Sequence, residues 1–171
     1  YIVGLVHEQL GNAEEALRYY GIAVQKDSRH ASSLINLGGL LDSRGEPAKA
    51  LPYLQDAVEV VPQSYEAHNN LGSAYLHLGR YAESITQFRR ALEIRPDAKV
   101  TLHNLGLAYS QTGQTGEAKA AFTRVIQADP SYWDAYLRLA QVMVSEGKKA
   151  DAKDLLTRLL AKNPSPDVKV E

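Results

Sequence analysis

Residues 65–98 read YEAHNNLGSAYLHLGRYAESITQFRRALEIRPDA, and the rest of the chain repeats this stretch. Within it Leu71-Gly72 is followed by Tyr75, Gly79, Ser84, Phe88, Ala91 and Pro96. A shift of 34 residues in either direction returns the same residue types. Gly38, Gly72 and Gly106 form one column, each preceded by Asn-Leu. Apolar residues at helical spacing predict packed helices. A fixed period of this length predicts stacked copies of one supersecondary unit, each too small to bury its apolar face alone.

Punctuation divides each copy into two helices. Gly11, Gly45, Gly79, Gly113 and Gly147 recur where a first helix must stop, and glycine enters the left-handed conformation there without a Cβ penalty. Pro62, Pro96, Pro130 and Pro164 recur where the chain leaves the second helix. Pro47 stands at a helix start, where a missing N–H is harmless. In the first copy the second helix is expected from about Asn12 to Lys26. Gly4, Gly38, Gly72 and Gly106, with Ala140, form a small column that lets two helices approach. Ala16, Ala50, Ala118 and Ala152, with Ser84, form its counterpart. Tyr20, Leu54, Phe88, Phe122 and Leu156 are the large residues beside it.

The Leu-Gly, Tyr, Ala, Phe and Pro skeleton at this period resembles the tetratricopeptide repeat (TPR) family over nearly the whole chain. The resemblance implies an all-α fold, a right-handed superhelical α-solenoid of tandem helix-turn-helix repeats. The expected organisation is a single array over residues 1–171: a partial repeat 1–30, full repeats 31–64, 65–98, 99–132 and 133–166, and a tail 167–171. Four residues of the first helix are expected to be missing ahead of Tyr1. The tail cannot supply a polar capping helix, so Leu155 and Leu159 are expected to be partly exposed unless the chain continues. Where the family often carries Trp, this chain has Leu34, His68, Leu102 and Tyr136. That departure predicts looser packing around His68.

Composition narrows the function. Nineteen basic residues face 20 acidic ones. This balance argues against nucleic acid as a partner, because such proteins concentrate basic residues on one face. The chain has no Cys, so disulfides and thiolate metal sites are excluded. No apolar run approaches the roughly 18 residues of a membrane span, so no membrane insertion is expected. There is no Gly-rich phosphate loop, zinc-binding His pair or acidic calcium loop. The chain is therefore read as non-enzymatic, with no cofactor and no metal. Arg89, Arg90 and Arg95 have acidic neighbours and read as a solvated outer face. The compartment is open: a soluble chain suits cytoplasm first, with the periplasm as an alternative.

One polar feature rises above this background. Asn36, Asn70 and Asn104 precede Leu-Gly in three consecutive repeats. Helical spacing extends Asn70 into a stripe of Glu66, Asn70, Ser73 and His77, and Asn104 into one that reaches Gln111. In the family this face lines the concave groove, where extended peptides commonly bind. The Asn row is similar to that of the O-linked N-acetylglucosamine transferase repeats, which hold protein substrates by their backbone. An amide offers two donors and one acceptor oxygen, matching the alternating N–H and C=O of an extended chain. The competing reading ties each Asn to a neighbouring repeat or to water; for His77 it is a solvated ring. In the fifth repeat Arg138 replaces Asn, with Asp134 four residues before it. A helix-face ion pair is one reading, a receiver of an acidic ligand group the other. No carboxylate clamp is expected, because Ile35, Asn69, Val100, Glu66 and Asp134 stand where its cations would be.

The leading reading is a protein-protein interaction scaffold that binds an extended peptide or partner segment through Asn36, Asn70 and Asn104. The alternatives are the substrate-recognition arm of a larger enzyme, such as a protein glycosyltransferase, and a self-assembling structural module, a homo-oligomer built through uncapped ends.

Overall fold

A computed structural model describes residues 1–162 of the chain. Ten α-helices make up the ordered structure of these residues, with no strand among them. The packing divides the chain after Pro96 into two compact units.

The first unit holds α1 (Ile2–Gln9), α2 (Ala13–Lys26), α3 (Ala31–Ser43), α4 (Pro47–Val60), α5 (Tyr65–His77) and α6 (Tyr81–Ile94). The second holds α7 (Lys99–Gln111), α8 (Thr115–Ala128), α9 (Trp133–Ser145) and α10 (Lys149–Lys162). Each odd-numbered helix packs on the even-numbered one that follows, and within each unit successive pairs stack. This is the architecture of an α-solenoid.

Local sequence fixes the helix ends. All five turn glycines have positive φ, between 71° and 81°, and no other residue among those described does. Pro47 occupies the first turn of α4. The Ser64 hydroxyl caps α5 by accepting from the Ala67 N–H at 3.2 Å. Pro62, Pro96 and Pro130 follow the ends of α4, α6 and α8. Pro164 lies outside the described residues.

The column of small residues has the predicted steric use. A Cβ on Gly38 would stand 2.5 Å from Leu54, and one on Gly72 or Gly106 would stand 2.7 Å from the ring of Phe88 or Phe122. The second-helix partners Ala16, Ala50, Ser84 and Ala118 are wholly buried. Ser84 satisfies its buried hydroxyl by donating to the Gly72 carbonyl at 2.8 Å. In the first unit Tyr20, Leu37, Leu41, Leu54, Leu71 and Tyr75 join Ala16 and Ala50 in one core. Burying each such side chain is worth about 1.5–3 kcal/mol. In the second, Ala118, Phe122 and Val142 form the centre of the packing.

His68 departs from expectation. Its surroundings are not loose: the ring is buried, Nε2–H donates to the Pro62 carbonyl at 3.0 Å, and Nδ1 lies 2.8 Å from the Gln87 amide. The imidazole replaces a large aromatic ring by anchoring both polar edges. Leu155 and Leu159 are half-buried on α10; the tail after it lies outside the described residues.

Candidate functional site

In the first unit the face of interest is shared by α3 and α5, consecutive first helices in contact. Asn36, half-buried on α3, donates through Nδ2 to the Tyr20 hydroxyl at 3.3 Å. Tyr20 in turn donates to the Glu8 carboxylate. Burial, and then this bond to Glu8, push the Tyr20 hydroxyl up to about 12.

Asn70 is half-buried on α5. Its Nδ2 stands 2.7 Å from the position a Cβ would take on Gly39, and its Oδ1 accepts from Asn69 at 3.4 Å. Ser73 and His77 converge on one carboxylate: Ser73 Oγ donates to Asp42 Oδ2 at 2.7 Å, and His77 Nδ1 lies 2.8 Å from Asp42 Oδ1. The Asp42 side chain is 7% exposed and the His77 side chain 53%. His77 is thus solvated on one edge and anchored on the other. Glu66 is exposed and directed to Arg95 at 3.1 Å, whose guanidinium lies 3.9 Å from the centre of the Tyr65 ring.

In the second unit Asn104 is half-buried on α7. Gln111 and Arg138 line one small cavity of about 200 Å³, floored by Leu107 and Val142. Arg138 Nε donates to Asp134 Oδ2 at 3.4 Å, and Nη1 to Gln141 at 3.3 Å. The expected ion pair is present and half-exposed, worth a few tenths of a kcal/mol. Asp134 also receives the buried His103, with Nε2 at 2.6 Å. Of the outer arginines, Arg90 pairs with Glu93 at 2.8 Å, in keeping with a solvated face.

The structure therefore joins Ser73 with His77, and Gln111 with Arg138, while Glu66 turns away to Arg95. Sequence reasoning placed Gly39 on the same stripe as Asn36, but missed Asp42 and the use of the Tyr20 hydroxyl as a partner of Asn36. The signal for Asp42 was present, a lone acid directly after Leu40-Leu41, inside a helix and ahead of its terminal Gly45. Among the described residues no cluster of three or more His, Cys, Asp or Glu could hold a metal ion. None of the described helices is long and apolar enough to cross a membrane.

Family comparison agrees with these features. Three tetratricopeptide repeat models match residues 4–59, 63–131 and 109–169, which together take in almost the whole sequence. The chain belongs to the tetratricopeptide repeat family. Among solved structures it is similar to MamA, with TM-score 0.87 and 24% identity over 95% of both chains. A MamA fragment (41-end) from Desulfovibrio magneticus RS-1 gives TM-score 0.88 at 20% identity, covering 97% of this chain and 94% of that one. YrrB, described as a TPR protein with an unusual peptide-binding site, gives TM-score 0.83 at 18% identity, covering 95% of this chain and 84% of its own. Comparison with curated proteins finds no significant match.

Proposed function

We propose that this chain is a protein-interaction module that holds an extended partner segment against its first helices, with Asn36, Asn70 and Asn104 contacting the segment's backbone. The observation that carries this reading is the half-buried, polar character of the shared α3–α5 face, where Asn70, Ser73 and His77 present hydrogen-bonding groups. Membership of the TPR family and the peptide-binding site for which YrrB is described support it. Preformed helices need no ordering on binding, so the entropic cost falls on the ligand alone. Glu66, Gln111 and Arg138 extend the candidate contact set. The test is capture from a pool of random peptides. Changing Asn36, Asn70 and Asn104 together to Ala should abolish most capture; unaltered capture would refute the backbone-holding role.

End-to-end self-association is a second reading. Val3 and Val6 are 47% and 49% exposed on α1, whereas Leu37 and Leu71, in the same column as Val3, are buried. Leu137 and Val144 are correspondingly open on α9. A second copy stacking α9–α10 onto α1 would cover both faces. Sedimentation over a range of concentrations tests this, and a monomer throughout would remove it.

A further inference from the structure

We infer that the groove between α9 and α10 docks an amphipathic α-helix of a partner protein, one that brings an acidic side chain to Lys153. This surface is separate from the Asn face, and its use does not depend on the Asn contacts. The groove holds a cavity of about 620 Å³, whose lining includes Leu137, Val144, Ala152, Leu156, Lys149 and Lys153. Leu137 and Val144 are exposed large apolar residues on α9, and taking them out of water favours an apolar occupant. The charge here is positive. Among the described residues neither Lys149 nor Lys153 has an ion-pair partner. The neighbouring acids are engaged elsewhere, Glu146 with Lys119 and Lys148, and Asp154 with Arg158. Asp151 does not line the cavity. The helix dipoles oppose each other, since α9 ends at Ser145 and α10 starts at Lys149, so the two lysines set the sign.

The preceding groove shows what fits. Between α7 and α8 the occupant is a helix, α9. Val142 of α9 packs with Ala118 and Phe122, and one turn further on Glu146 meets Lys119 at 2.9 Å. Thirty-four residues later, Ala152, Lys153 and Leu156 stand where Ala118, Lys119 and Phe122 stand. All three line the open cavity. The groove therefore repeats a seat for an apolar residue followed four positions later by an acid, a spacing that keeps both on one helix face. A second copy of the chain matches this seat only in part. Its α1 offers Val6 in the register of Val142, but Leu10 in the register of Glu146. Lys153 would then lack its acid, so the charge match favours a partner helix over a second copy.

The experiment uses the full chain and a fluorescent, helix-stapled peptide with the sequence of residues 132–147, the occupant of the preceding groove. Binding is read by fluorescence anisotropy. The wild-type chain should bind this peptide and the Leu137→Glu chain should not, with circular dichroism verifying that the exposed substitution leaves the helices intact. Glu146→Gln in the peptide should weaken binding about two- to fivefold, the scale of one solvent-screened ion pair. Lys153→Glu alters an exposed side chain and keeps the fold. It should reverse the preference, so that a Glu146→Lys peptide binds better than the original. No binding to the wild-type chain would overturn the inference and leave the Asn-face reading standing. Binding unaltered by Leu137→Glu, or indifferent to the Lys153 and Glu146 exchanges, would also overturn it. Self-association in sedimentation that Leu137→Glu removes, without peptide binding, would give the groove to a second copy and overturn it too.

Discussion

The side-chain nitrogen of Asn70 rests over bare backbone at Gly39, 2.7 Å from the point where a β-carbon would begin. The notch exists only because position 39 has no side chain. The Gly39→Ala variant should therefore displace the Asn70 amide while leaving the fold intact. Ala is favoured over Gly in a helix by about 1 kcal/mol. Thermal unfolding should show an unchanged or higher midpoint, while random-peptide capture falls. Unchanged capture would mean that Asn70's position is irrelevant to binding.

Gly72 should be intolerant in a different way. A Cβ there meets the Phe88 ring at 2.7 Å, and Phe88 is wholly buried. Gly72→Ala should cost about 1–3 kcal/mol by overpacking. The fifth repeat has Ala140 opposite Leu156. Adding Phe88→Leu to Gly72→Ala should accordingly recover part of the loss in urea unfolding.

His68 offers a test of polar anchoring in the core. His68→Leu keeps apolar bulk but leaves the Pro62 carbonyl and the Gln87 amide without their imidazole partner. A loss of about 1–2 kcal/mol in chemical denaturation is expected. A more stable variant would show that the two hydrogen bonds contribute nothing net.

The acid limb of stability should be set in the second unit. The Glu146 carboxyl is held at about 2, chiefly by the hydrogen bond from Lys119 and then by that from Lys148. Asp129 is held at about 2 by Lys99 and Ser131. Both values lie below the ordinary 4.5 and 3.8. Their contribution is complete above those values and is lost as pH falls toward 2. The Glu146→Gln variant should flatten stability against pH in that window, and high salt should weaken the effect because these groups are screened by solvent.

Tyr20 governs the opposite limb. Its folded value of about 12 exceeds the ordinary 10.0. The neutral phenol is favoured in the fold, so its contribution is complete below pH 10 and declines as pH rises toward 12. Unfolding of Tyr20→Phe followed across that range should show a shallower decline than wild type. The same substitution releases the Asn36 amide from its hydroxyl partner.

The helix pairs, their turns and the close approach of first to second helix were legible in the primary structure. Each depends on contacts a few residues to one repeat apart, and Gly, Pro and small-residue columns mark them directly. The polar face was legible only as residue types. Equal positions recur every 34 residues, but the cross-helix partners found do not follow that interval. Asn70 meets Gly39 and Ser73 meets Asp42, both 31 apart, while His77 meets Asp42 at 35. Packed helices in general interleave their ridges rather than align equal positions, and here a side chain settles beside a different turn of its neighbour rather than beside its own copy. That stagger, which no one-dimensional period contains, decided that Asp42 would be buried against His77 and that Asn70 would lie on Gly39.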